Sequence, residues 1–146
     1  AWGKPVPDFE VKLLNSDKTI SNKSLLGKFY LIDFWATWCG PCRREMPHLH
    51  EAYEEYKNNN FTILSLSLDS KPEDVQSFRK KGWEMPWLHA FIADGWKSEI
   101  VEDFVVNLTG IPSPFLISPD GRILATHDAL RGEYLERTLE KYLGSN

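Results

Sequence analysis

Two short apolar runs predict strands in the core of the protein. Residues 29–34 ("FYLIDF") and 61–69 ("FTILSLSLD") are rich in residues that favour β-structure, and runs of this length are typical of strands buried on both faces. Between them, apolar side chains recur at steps of three, four and three residues, which predicts one helix face formed by Met46, Leu49, Tyr53 and Tyr56. This helix begins around Cys39 and Cys42 and ends at "KNNN", because asparagine tolerates the left-handed conformation that stops a helix.

The residues after the second run predict another helix. Its start signals are a capping residue, a proline in the first turn and an acid three residues on, namely Ser70, Pro72 and Glu73. Gly82 ends this helix. Residues 83–97 are aromatic and irregular, with one short strand expected, and a brief helix is predicted near residues 98–106.

Two hairpins and a last helix complete the pattern. Residues 9–20 predict a strand, a polar turn and a return strand, and residues 114–127 predict a second hairpin around a Ser-Pro-Asp-Gly turn. The last helix carries leucines at spacings of four, which are Leu135, Leu139 and Leu143. Strands that alternate with helices in this order predict an α/β sandwich with a mixed central sheet. A length of 146 residues without internal repeats predicts one domain over residues 1–146.

Composition narrows the choice of partners. Hydrophobic residues make up 42% and charged residues 26%, and the net charge is −4. The basic residues are scattered, so no nucleic-acid-binding face is expected. The longest apolar runs are far shorter than the ~20 residues that a bilayer requires, so any membrane contact is expected through a segment outside these residues. The chain opens "AWGKPVPDF" without a leader, which indicates a trimmed product or one domain of a longer protein.

The only two cysteines lie in the sequence Cys39-Gly40-Pro41-Cys42. Pro41 suits the first turn of a helix, and Gly40 has no side chain to shield the neighbouring sulfur. Cys39 would then lie at the helix tip, where free N–H groups and the helix dipole lower a thiol pKa from ~8.5 toward neutrality. Cys42 lies one turn deeper, close enough to close a small disulfide ring.

This arrangement favours reversible dithiol–disulfide exchange, in which Cys39 attacks a partner's disulfide and Cys42 resolves the mixed intermediate. Two other interpretations stay open from the residues alone. The pair could be an inert bridge, although so short a loop would add little stability. It could also be half of a metal site completed by a partner, because two ligands are too few for a structural zinc site.

The stretch "DFWATWCGPC" resembles the active-site segment of the thioredoxin superfamily. The longer "FWATWCGPCRREMPHL", the N-terminal hairpin and "GIPSPFLISPDG" resemble its TlpA-like/ResA-like branch, which is related to the AhpC/TSA (peroxiredoxin) group. The resemblance covers residues 6–143. It implies a thioredoxin-like fold with a central insertion and a thiol-disulfide oxidoreductase that needs no cofactor. In bacteria such proteins commonly face the extracytoplasmic space, which is the expected location.

Two acids acquire roles from this resemblance. Asp33 precedes Cys39 by six residues, as the buried acid of thioredoxins does. Burial in an apolar strand would raise its pKa and suit it to take a proton from Cys42; the alternative is an ordinary hydrogen-bonded strand-end residue. Glu45 matches an acidic position of some ResA-like proteins and should lie one turn beyond Cys42. Alternatively, Glu45 only complements the helix dipole.

A substrate-binding surface is also implied. The resemblance implies that the Ile111–Pro112 bond is cis and packs against the cysteines, leaving the Ile111 backbone free to pair with an extended substrate. Trp38, Gly40 and Pro41 complete the expected docking surface. Trp35 is assigned to the core. The tryptophans of the insertion, Trp83, Trp87 and Trp96, either line a groove or pack in the core, and the core is favoured.

The predicted function is therefore a monomeric thiol-disulfide oxidoreductase that reduces protein disulfides or apocytochrome thiol pairs. A redox partner regenerates its dithiol. One alternative is a non-catalytic docking or redox-sensor module of a larger protein. A peroxidase is disfavoured because the pattern Pro-x-x-x-Thr/Ser-x-x-Cys is incomplete, with Thr37 one residue too close to Cys39.

Overall fold

A five-stranded mixed sheet runs through the centre of the computed structural model, which describes residues 3–104, 106 and 110–144. Its strands are β3 (Phe29–Trp35), β4 (Phe61–Ser67), β5 (Leu88–Phe91), β6 (Ser113–Ile117) and β7 (Ile123–Thr126). Their order is β5-β4-β3-β6-β7, with β3, β4 and β5 parallel and β6 antiparallel to both of its neighbours. The first two strands, β1 (Glu10–Lys12) and β2 (Thr19–Ser21), form a separate antiparallel pair.

The described residues form four α-helices beside the sheet: α1 (Gly40–Tyr56), α2 (Pro72–Lys80), α3 (Glu99–Asp103) and α4 (Glu133–Leu143). Successive side chains of a strand point to opposite faces, and β3 therefore feeds two core clusters. Leu31 packs in the cluster that holds residues of α1, α2 and α4. Ile32 packs in the cluster that holds residues of the N-terminal hairpin and α3. The predicted α/β sandwich with a mixed sheet is confirmed.

Most predicted elements lie where the hydrophobic pattern put them. Met46, Leu49 and Tyr56 are buried on one face of α1, and Asn60 adopts a left-handed φ of 59° after the helix has ended. One start signal was wrong. Lys71, not Ser70, is the N-cap of α2, and no side chain caps that helix. The helix predicted near residues 98–106 is shorter and spans α3, and residue 105 lies outside the described residues.

The sheet topology brings distant segments to one edge. The carboxyl ends of parallel strands meet at the same edge of a sheet, so the end of β3 lies beside the end of β4. Because β6 runs antiparallel to β3, its first residues arrive at that same edge, with Ser113 opposite Phe34. Among the described residues, none of the helices combines the length and apolar character that a membrane span requires.

Candidate active site

The two cysteines lie where β3 passes into α1. Cys39 is the N-cap of α1, with extended backbone, and its Sγ accepts a hydrogen bond from the backbone N–H of Cys42 at 3.2 Å. The two residues form a disulfide, with their Cα atoms 5.2 Å apart. Cys39 is 4% exposed and Cys42 1% exposed. The attacking sulfur predicted from the sequence is therefore the one at the helix tip, and the predicted resolving sulfur lies deeper.

A second loop faces the dithiol from across the sheet edge. The Ile111–Pro112 peptide bond is cis, as the resemblance implied. The carbonyl oxygen of Ile111 lies 3.8 Å from Sγ of Cys39. Segments 72 residues apart in the sequence are thus in contact at the sulfur, and the expected packing of this loop against the cysteines is confirmed.

Asp33 is a carboxyl group enclosed in the central strand. It is 3% exposed and lies in register between Ser65 of β4 and Pro114 of β6. It has the same strand parity as Leu31 and Trp35, which pack in one core cluster with both cysteines. Burial raises the pKa of Asp33 from 3.8 to about 7, with Glu45 adding to the rise and Arg131 opposing it. The expected rise in pKa is present, and burial is its main cause.

The first turn of α1 contains no acidic residue, and Glu45 lies beyond that turn. Its Oε1 accepts a hydrogen bond from the backbone N–H of Gly132 at 2.7 Å. It also lines a cleft of about 670 Å³ together with Arg131 and Tyr134. The interpretation of Glu45 as a first-turn dipole residue is therefore wrong, because this side chain connects α1 to the segment that precedes α4.

The tryptophans divide into buried and exposed side chains. Trp38, beside Cys39, is 61% exposed, whereas Trp35 is fully buried against Phe78 with ring centroids 5.5 Å apart. Trp87 is also buried, and its Nε1–H donates to the Ser65 hydroxyl at 2.8 Å. The core assignment holds for these buried rings and in part for Trp83, which is half-buried and stacks on Phe78 with ring centroids 5.6 Å apart. It was wrong for Trp96, which is 42% exposed.

Sequence reasoning missed several polar residues around the dithiol. The N–H and hydroxyl of Thr37 donate hydrogen bonds to the Asp69 carboxylate at the end of the sheet. The charge of Arg131 lowers the pKa of Asp33. The signal for Asp69 was its place at the end of the apolar run at residues 61–69, which forms a strand parallel to β3, since the carboxyl ends of parallel strands meet at one sheet edge. Farther from the dithiol, in β5, Nε2 of His89 lies 2.9 Å from the carbonyl oxygen of Met85.

Possible metal ligands are not clustered in the described part of the chain. No group of three or more histidine, cysteine, aspartate or glutamate side chains there is arranged to hold a metal ion.

Comparisons with known proteins agree with this geometry. The AhpC/TSA family model matches residues 2–126. The thiol-disulfide oxidoreductase ResA of Bacillus thuringiensis subsp. konkukian is 34% identical over 141 residues, which cover 97% of this chain and 76% of that protein.

Two solved structures are similar over nearly the whole fold. The thioredoxin domain of a thiol-disulfide oxidoreductase from Bacteroides vulgatus is 30% identical, with a TM-score of 0.86 and 98% of each chain covered. A thiol:disulfide interchange protein from Bacteroides sp. is also 30% identical, with a TM-score of 0.85 and coverage of 99% of this chain and 91% of that one.

Proposed function

Because the chain belongs to the AhpC/TSA family and is a ResA/TlpA-like thiol-disulfide oxidoreductase of the thioredoxin superfamily, we propose that it reduces disulfide bonds of other proteins. The observation that carries this proposal is the position of Sγ of Cys39 at the N-cap of α1, within hydrogen-bond distance of the Cys42 N–H. Free N–H groups and the helix dipole at that place stabilise a thiolate. A thiolate is the form of cysteine that attacks disulfides.

The first step is attack by the Cys39 thiolate on one sulfur of the substrate disulfide. A bond forms between Cys39 and that sulfur, and the second substrate sulfur leaves as a thiolate that takes a proton from solvent. The product of this step is a mixed disulfide between enzyme and substrate.

The second step releases the substrate. The Cys42 thiol gives its proton to the Asp33 carboxylate, and the Cys42 thiolate then attacks Sγ of Cys39. The enzyme disulfide forms and the remaining substrate sulfur leaves as a thiolate, so that two electrons have passed from the enzyme to the substrate. A pKa of about 7 leaves Asp33 partly ionised at neutral pH, which suits a group that must accept a proton and later lose it.

The Cys39 thiolate is stabilised by the helix tip but only modestly, and this supports the reducing direction. In the described part of the chain, Sγ of Cys39 accepts one hydrogen bond, from Cys42 N–H. The oxygen of Ile111, 3.8 Å away, carries partial negative charge and opposes a thiolate. A dithiol whose thiolate is only modestly stabilised has a low reduction potential and acts as a reductant.

Substrate contact falls to the exposed rim around Cys39. The Trp38 ring is largely exposed beside the sulfur, Gly40 and Pro41 lie at the helix tip, and the Ile111–Pro112 loop can pair with an extended segment. The substrate is a protein in an extended local conformation, and a second protein dithiol returns the enzyme to its reduced form. One chain supplies both thiols, so a monomer is sufficient for this chemistry. The similarity to ResA proteins supports an extracytoplasmic site of action.

Reduction of insulin disulfides in the presence of dithiothreitol tests this function. We expect the wild-type chain to accelerate insulin precipitation and the Cys39→Ser variant to abolish the acceleration, because it removes the attacking sulfur. Turnover by Cys39→Ser equal to that of the wild type would refute the proposal.

The direction is tested by equilibrating the protein with glutathione buffers. We expect a potential closer to that of thioredoxin, about −270 mV, than to that of DsbA, about −120 mV. A value near that of DsbA would mean that the thiolate is strongly stabilised and that the protein works as an oxidant.

A further inference from the structure

A second buried carboxylate lies near the dithiol and has no part in the steps above. Asp69, 2% exposed, follows β4 by two residues. Its Oδ1 accepts from the Thr37 hydroxyl at 2.6 Å and from the Thr37 N–H at 3.1 Å. Its Oδ2 accepts from the Ser67 hydroxyl at 2.6 Å. Within the described ranges no ion pair involves Asp69, so neutral donors hold this carboxylate.

The third polar group of Thr37, its carbonyl oxygen, is bonded to a side chain of α1. The Thr37 carbonyl accepts a hydrogen bond from Nε of Arg43 at 2.8 Å, and the Arg43 guanidinium lies over the Phe78 ring, 5.3 Å from its centroid. Arg43 belongs to the first turn of α1. All three polar groups of Thr37 are therefore bonded, two to the end of β4 and one to the helix that carries the dithiol.

This residue lies two positions before the reactive sulfur. The loop from β3 to α1 closes with a hydrogen bond from Cys39 N–H to the Ala36 carbonyl at 3.1 Å, and Thr37 lies inside that turn. A shift of Thr37 would move the N-cap itself. The helix-dipole effect is confined to the first turn, so a displaced sulfur would lose much of the stabilisation of its thiolate.

We propose that Asp69 and Thr37 form a positioning pair that fixes Sγ of Cys39 for attack. Asp69 acts through Thr37, whose N–H and hydroxyl it holds at the end of β4. The inference rests on the proposed function, because it assumes that Cys39 is the nucleophile.

The pair can be separated from a plain effect of charge. Loss of the hydrogen bonds between Thr37 and Asp69 raises the pKa of the Cys39 thiol, because the sulfur moves away from the N-terminus of α1. Loss of a nearby negative charge would lower that pKa instead. Thr37→Val removes the hydroxyl donor and keeps the Asp69 charge, and it therefore isolates the positioning effect. Thr37 is only partly buried, so this substitution should be tolerated.

The test measures the pH dependence of Cys39 alkylation by iodoacetamide in the reduced full chain. We expect Thr37→Val, and independently Thr37→Ala, to raise the pKa of the Cys39 thiol by about 0.5 to 1 unit. Since the thiolate is the reactive form, alkylation at pH 7 then slows about three- to tenfold, and the reduction potential becomes more negative. Thr37→Ser keeps the hydroxyl and should retain the wild-type profile.

A purely structural role gives a different result. It would lower the urea midpoint of Thr37→Val without moving the pH profile of alkylation. An unchanged or lowered pKa in both Thr37→Val and Thr37→Ala overturns the inference. The insulin assay separates the two proposals, because loss of turnover in Cys39→Ser with wild-type profiles in the Thr37 variants would refute only the positioning pair.

Discussion

At the scale of single residues, Asp33 and Asp69 show how local surroundings divide the work of two buried acids. Asp69 is surrounded by hydroxyl and amide donors from Thr37 and Ser67, an arrangement that suits a fixed structural anchor. Asp33 lies in an apolar strand, and its pKa rises to about 7, first through burial and then through Glu45, against the opposing influence of Arg131. We therefore propose that the same residue type serves as an anchor in one place and as a proton acceptor in the other.

The raised pKa of Asp33 predicts a loss of stability toward alkaline pH. The folded state binds the Asp33 proton up to about pH 7, whereas the unfolded chain releases it near pH 3.8, so the free energy of unfolding falls as pH rises between these values. Asp33→Asn removes this titration. Relative to the wild type, we expect Asp33→Asn to gain about 2 to 4 kcal/mol between about pH 4.5 and pH 8. Urea unfolding of the oxidised wild type and Asp33→Asn proteins at these two pH values measures this change in the free energy of unfolding.

An exposed acid provides the control for this measurement. The Asp17 side chain is fully exposed, so Asp17→Asn should follow the wild type at both pH values. If the stability difference between Asp33→Asn and the wild type were independent of pH, Asp33 would titrate normally in the folded protein. Its assignment as the proton acceptor of Cys42 would then lose its physical basis.

At the scale of elements, most strands and helices were predictable because each produces its own pattern of apolar residues along the sequence. The run at residues 29–34 and the stepped face of α1 are signals contained in one segment, and β3 and α1 formed there. The cap of α2 was not predictable in this way. Ser70 has the residue type of an N-cap, yet Lys71 takes the N-cap position with extended backbone. Local residue preference cannot decide which of two neighbouring residues occupies the N-cap.

The environment of β5 shows a polar group that only packing could reveal. His89 lies in β5 opposite Ser65 of β4 and stacks on Trp87, with centroids 6.1 Å apart and planes 16° apart. Burial lowers its pKa from 6.5 to about 3, Arg79 adds to the effect, and the hydrogen bond to Met85 opposes it. The folded protein therefore keeps this imidazole neutral.

This histidine predicts acid sensitivity. Below about pH 6.5 the unfolded chain protonates His89 while the folded protein does not, so stability falls as pH falls toward 3. His89→Gln removes the titration and keeps a donor for the Met85 carbonyl. From about pH 6.5 to pH 4.5, we expect the wild type to lose about 2 kcal/mol more than His89→Gln in urea unfolding. Equal losses would show that His89 is protonated in the folded state.

At the scale of the whole molecule, the site is assembled from segments that lie far apart in the sequence. The dithiol and Asp33 lie within ten residues of each other, so one motif predicted both. Ile111 is 72 residues from Cys39 and was placed only through resemblance to a family. Gly132, 87 residues from Glu45, was not predicted at all, because neither its residue type nor its surroundings in the sequence indicate a partner for a carboxylate.

The order of attack by the two sulfurs is the central claim, and trapping of the mixed disulfide tests it most directly. Reduced Cys42→Ser and Cys39→Ser proteins are each incubated with a disulfide-containing peptide, and covalent adducts are measured by mass spectrometry. We expect a stable adduct on Cys39 in the Cys42→Ser protein and little or none in the Cys39→Ser protein, since the remaining sulfur is buried one turn deeper. An adduct on Cys42 that forms as fast as the one on Cys39 would contradict the account.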